Sequence, residues 1–110
     1  MVSRYSNIDA PLMIIVAGND KRSLNHRAND FWIQDCSAAI ETMILSATEL
    51  GPGSCWCGLF PRVTPVKRVR EIRRLEDFII PLTMIYIGYP DEEKEPRTQY
   101  DVKEFISLIS

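Results

Sequence analysis

Residues 29–61, NDFWIQDCSAAIETMILSATELGPGSCWCGLFP, decide how this chain folds. They read as one long, nearly all-apolar helix, a glycine-bracketed stop and a short buried strand that ends at a glycine. Polar side chains repeat every seven residues at Gln34, Glu41 and Thr48, with Asp35, Thr42 and Glu49 beside them. The remainder of the helix is Trp32, Ile33, Cys36, Ala38, Ala39, Ile40, Met43, Ile44, Leu45, Ala47 and Leu50. A surface helix needs an apolar arc of little more than about 100°. This helix has far more, so it is expected to be wrapped on most sides. Ser37, Ala38, Ala39, Ser46 and Ala47 are small enough to let another backbone come close. In a chain this short, part of the cover is expected from a second chain.

The punctuation around the helix is local chemistry. Asn29 or Asp30 can serve as N-cap. Gly51 can take a left-handed cap, and Pro52 cannot continue the helix. Working outward, 12–17 (LMIIVA) reads as a strand that ends at the turn signal Gly18-Asn19-Asp20. Residues 54–60 read as a second strand with Gly58 inside it, and a strand glycine marks a bulge or the close approach of a ligand or backbone. Residues 65–75 form an amphipathic helix with Val66, Val69 and Ile72 on one face. The run 78–88 (FIIPLTMIYIG) is apolar nearly throughout and reads as a central strand covered on both faces, with Pro81 at a bulge or at its start. A short helix is expected at 102–109. The order β-α-β-α-β gives a small mixed or antiparallel α+β sheet. Three strands are thin cover for so apolar a helix, so the chain reads as incomplete.

Size and charge narrow the function. The 110 residues carry 13 Lys and Arg against 15 Asp and Glu, room for one domain and the wrong balance for a dedicated nucleic-acid binder. The apolar runs 11–18 and 78–89 are well short of the ~20 residues a membrane-crossing helix requires. The three cysteines, Cys36, Cys55 and Cys57, fall in apolar elements. Reduced thiols in a cytoplasmic protein are the expectation, and with only the distant His26 to help them they do not make a zinc site. His26 has no Ser or Cys at a recognisable spacing, so nucleophilic catalysis has no support. Arg62, Lys67, Arg68, Arg70, Arg73 and Arg74 form a basic cluster. It reads as a solvated helix face, since no aromatic stacking platform is interleaved with it; binding of acidic partners through it is the weaker reading.

Several words of the sequence, in order, resemble the C-terminal half of the FMN-dependent nitroreductase family. They are APLMIIVAGN at 10–19, the W-x-x-D-x-x-A helix and G-x-G-x-x-W-x-G turn within 32–61, and PLTMIYIGYPDEEKEPRTQYD at 81–101. The resemblance implies a single partial domain over 1–110. It implies a homodimer held through the long central helices, with FMN at the interface taking hydride from NADH or NADPH and passing electrons to a nitro compound, quinone or similar acceptor. Trp56, Cys57, Gly58 and Leu59 match the strand end whose backbone lies against the flavin ring. Arg97 matches a basic residue that reaches the FMN phosphate, as suits a guanidinium's bidentate geometry, and Lys94 is a second candidate. There are departures. The family's N-terminal half, with its Arg-x-Ser-x-Arg phosphate signature, has no counterpart; KRSLNHR at 21–27 follows a strand and is a decoy. Gln99 stands where many members carry a second basic residue, and EFISLIS at 104–110 is unlike the usual tail. These departures keep a second expectation open, a non-catalytic dimerisation or binding module that has lost flavin binding.

Overall fold

A computed structural model of the chain describes residues 9–20, 31–91, 95–97 and 101–109. In chain order these form β1 (Leu12–Asn19), α1 (Trp32–Leu50), β2 (Gly53–Gly58), α2 (Val63–Arg73) and β3 (Ile79–Gly88), followed by a 3-10 turn at Val102–Glu104. The last strand inserts between the first two. The sheet order is β1-β3-β2, and β3 is antiparallel to both neighbours. The uniformly apolar run is therefore the central strand, and residues 81–86 are buried.

Each helix covers one face. On the α1 side, Ile40, Leu82 and Ile85 make a core to which Ile14, Val16, Trp32, Cys36, Met43, Ile44, Phe60 and Ile87 add partly buried surface. On the α2 side, Leu59, Val69, Met84, Tyr86 and Ala10 are packed together. The period-2 alternation of β3 sends Ile85 to one helix and Met84 and Tyr86 to the other. The bulge lies next to Pro81: Val16 pairs with Thr83 but Ala17 with Pro81, leaving Leu82 as the extra residue. A proline cannot donate to the ladder, and a bulge beside it is where a strand tolerates one.

Several boundaries move. β1 runs through Gly18 and Asn19, because both pair with β3, at Ile80 and Ile79. α1 begins after Phe31, which stands at the N-cap position and makes no side-chain cap bond; Asn29 and Asp30 lie outside the described residues. Its stop is as expected: Gly51 has φ 115°, and its N–H donates to Ala47 O and Thr48 O at 3.1 and 3.2 Å. α2 closes on Arg74 at φ 51°. The helix expected over 102–109 is only the 3-10 turn. Phe105, Ile106, Leu108 and Ile109 stand exposed, without the packing that most helical stability depends on.

Trp32 wedges the first turn of α1 against the sheet. A β-carbon on Gly18 would sit 2.6 Å from its ring, so glycine is what admits the indole. The indole meets Phe60 edge-on, centroids 5.1 Å apart. Arg70, expected on a solvated basic face, is instead a clamp. Its guanidinium donates to Ile79 O from Nε (3.1 Å) and Nη2 (3.0 Å), and to Asp77 O (2.9 Å), tying α2 to the start of β3. Hydrogen bonds from a charged donor contribute about 1.5–3 kcal/mol. Arg70→Ala is expected to lower the unfolding free energy measured in urea by an amount in that range, whereas Lys67→Ala, on the exposed side, leaves it within about 0.5 kcal/mol.

Among the described residues α1 is covered on one side only. Ile40 and Ala47 are buried, while Leu45 is 62% and Leu50 81% exposed. The hydroxyls of Thr42, Ser46 and Thr48 fold back on the carbonyls four residues earlier, at 2.8–3.0 Å. The outer face, with Ala38, Ala39 and Leu45, therefore has these hydroxyls already satisfied.

Candidate functional site

β2 is an edge strand, bonded to β3 on one side. Leu59 N–H donates to Leu82 O at 2.9 Å, which fixes the phase of the ladder. Cys57 opposite Met84 and Cys55 opposite Tyr86 are then the hydrogen-bonded pairs, and the main-chain groups of Trp56 and Gly58 point away from the sheet. The Arg62 guanidinium confirms the direction by donating from Nη2 to Gly58 O at 2.9 Å. Thr83, 1% exposed, donates its hydroxyl to Cys57 O at 2.7 Å and pins the strand end from behind.

The four residues picked out at this strand end have different environments. Trp56 is 41% exposed, on the α1 side of the edge. Cys57 is half-buried against the α2-side core. Leu59 is 3% exposed, and both its main-chain groups are engaged: N–H with Leu82 and carbonyl with Arg62 N–H at 3.0 Å. Leu59 anchors the end of the strand. Gly58 is exposed, its φ lies outside the left-handed region, and a β-carbon there would meet nothing within 4 Å. Neither backbone conformation nor packing inside this chain calls for glycine at that position. What glycine leaves is a flat, open stretch of backbone.

Arg97 is exposed, and no hydrogen bond among the described residues ties it to β2. Lys94 lies outside the described residues. Arg62 and Thr83 were not singled out for this site by sequence. Arg62 looked like one more cation of the basic cluster, and Thr83 like one more position of a buried strand. Four residues separate Arg62 from Gly58, and that spacing was the available signal. Among the described residues no group of three or more His, Cys, Asp and Glu comes together, and no helix is long and apolar enough to cross a membrane. Burial, and then the adjacent Asp35 carboxylate, push the Cys36 thiol up, so it stays protonated and poorly nucleophilic near neutrality.

Known proteins share this architecture. The sequence profile of the Nitroreductase family matches residues 3–89. A candidate NADH dehydrogenase/NAD(P)H nitroreductase of Archaeoglobus fulgidus is 38% identical over 87 residues, covering 79% of this chain and 49% of that protein. The FMN-dependent nitroreductase of Clostridium difficile R20291 superposes with a TM-score of 0.73 at 33% identity, over 86% of this chain and 56% of the other. A candidate NADH oxidase from Clostridium acetobutylicum gives 0.81 at 31% identity, over 93% and 61%. The three-stranded antiparallel sheet with one helix on each face is thus part of the nitroreductase fold, and the chain belongs to the nitroreductase family. It spans about half the length of the curated relatives it matches.

Proposed function

We propose that this chain is a nitroreductase-family oxidoreductase polypeptide that works as a homodimer. FMN would be seated on the end of β2, with electrons passing from NAD(P)H to nitro compounds, quinones or similar acceptors. The observation that carries the reading is Gly58, a glycine that its own chain does not require, at the open edge of the strand where the family resemblance puts the flavin ring. The main-chain groups of Trp56 and the Gly58 N–H, directed off the sheet, suit the heteroatoms of an isoalloxazine ring, while Gly58 O is held by Arg62. Family membership and an FMN-dependent relative support the cofactor.

Bound FMN would supply the electron transfer between NAD(P)H and acceptor. The chain's own residues do the positioning. Gly58 lets a planar ring approach the backbone, Trp56 walls the edge, and the carbonyl of Cys57 is held by Thr83. Leu59, bonded on both sides, keeps the strand end from moving. Arg62 holds Gly58 O, so the carbonyl is fixed before any ligand arrives. Arg97, with Lys94, is assigned to the phosphate, where a guanidinium can offer two parallel donors. The satisfied outer face of α1 supports the dimer, because burying it strands none of the three hydroxyls folded back on it.

Titration of FMN into purified protein, followed by quenching of flavin fluorescence, tests this reading. Saturable binding is expected. Gly58→Val is expected to weaken it at least tenfold, about 1.4 kcal/mol or more. Its melting temperature should hardly change, because the new side chain enters open space. Arg97→Ala is expected to weaken binding by a smaller factor. FMN binding that is indifferent to Gly58→Val removes the seat from β2.

A further inference from the structure

Cys55 and Cys57 alternate with Trp56 along β2, so their side chains emerge on the same face of the sheet, the α2 side. Their sulfurs lie 3.9 Å apart, close enough for an S–H···S contact. Their access differs, since Cys55 is exposed and Cys57 is half-buried. We propose that Cys55 and Cys57 form a redox-active dithiol that exchanges with low-molecular-weight disulfides of the glutathione type and closes to a reversible Cys55–Cys57 disulfide.

The asymmetry assigns the order of events. The Cys55 thiolate attacks one sulfur of the small disulfide. A mixed disulfide forms on Cys55, and one small thiol leaves. Cys57, already beside the Cys55 sulfur, then attacks that sulfur as thiolate and expels the second small thiol. Two protein thiols are oxidised by two electrons, one small disulfide is reduced to two thiols, and the two protons end on the departing thiols. An exposed thiol poised next to a resolving partner is the arrangement redox-sensing cysteines use.

The bond that forms is a labile one. Residues two apart on a strand are separated by about 6.6 Å, at the upper end of the Cα separations, up to about 6.8 Å, that a disulfide bridges. The sulfurs must also close from 3.9 Å to about 2.05 Å, which puckers the strand. β2 can give way because it is an edge, bonded on one side only. A strained, exposed disulfide has a more oxidising potential and is readily opened again by thiols. Closure does not require bound flavin, so it can hold or fail independently of the function proposed above.

The test is intact-mass and peptide mass spectrometry of the native protein after incubation with glutathione disulfide. The expected product is a chain lighter by two hydrogens, with Cys55 joined to Cys57 and glutathione restoring the thiols. Cys57→Ser is expected to stop at a glutathione adduct on Cys55, and Cys55→Ser to remain unmodified at Cys57 over the same time. The exposed Cys55→Ser change keeps the test informative should the half-buried Cys57 variant fold poorly. A wild-type chain that accumulates the adduct on Cys55 without closing overturns the proposal, as does a disulfide that recruits Cys36.

Discussion

Ile85→Ala is expected to destabilise the chain by about 3–5 kcal/mol, the upper part of the range for emptying a buried aliphatic site. Ile85 is 0% exposed on the central strand, and it packs with Ile40, also 0% exposed, and Leu82 on the α1 side. Truncation removes the methyl groups that join α1 to the sheet. Nearby packing cannot collapse easily into the gap, because residues 83–87 are paired with strands on both sides. Domains are stable by only about 5–15 kcal/mol, and a chain of this size whose longest described helix leaves Leu45 and Leu50 exposed belongs at the low end. Much of the Ile85→Ala protein is therefore expected to be unfolded at room temperature in the absence of partner and ligand. Circular dichroism in a urea series reads this directly. A midpoint shift worth less than about 1 kcal/mol would mean that α1 does not depend on the sheet for its cover.

Leu45→Glu acts on the opposite face of the same helix. Leu45 is 62% exposed in the single chain, so the change costs the monomer little, within about 0.5 kcal/mol. In the proposed dimer that side chain would be enclosed against the partner's helix. A lone carboxylate there is desolvated without a partner charge, at a cost of about 3–5 kcal/mol. The dimer dissociation constant is then expected to rise at least a hundredfold, about 2.7 kcal/mol, leaving a monomer with wild-type helical content. Light scattering across a concentration series measures it. An unchanged dimer would place the interface elsewhere, and a wild-type monomer would remove it.

Much of this was legible because it is local. The Gly51-Pro52 stop, the all-round apolarity of α1 and the continuous apolar run of β3 each follow from what a residue does to its own turn or strand. The bulge beside Pro81 was readable for the same reason, since a missing N–H has to be accommodated somewhere. The strand order β1-β3-β2 was not legible, because it depends on pairing between segments far apart in sequence. That order puts β2 at the edge, which is why Trp56 and Cys55 are exposed on a strand whose composition reads as buried. Arg70 looked like one basic residue among many, and only the fold brings Ile79 O and Asp77 O within its reach. The helix expected over 102–109 is absent because its apolar residues, exposed as they are, do not pack on the described core.

The candidate site shows the same division. Gly58 could be singled out from the sequence as a strand glycine with two meanings, a bulge or a close approach. The structure removes the first, since the bulge is on β3 and β2 pairs in regular register through Gly58. The pairing of Cys55 with Cys57 follows only from the fold. Two cysteines separated by a tryptophan say nothing of access until the edge position opens one of them and the core half-covers the other.

Sedimentation velocity of the purified protein with added FMN, recorded at the visible flavin band, tests the central claim most directly. Flavin absorbance is expected to move with a species of twice the chain's mass. Flavin left behind at the meniscus while the protein sediments as a single chain would contradict it.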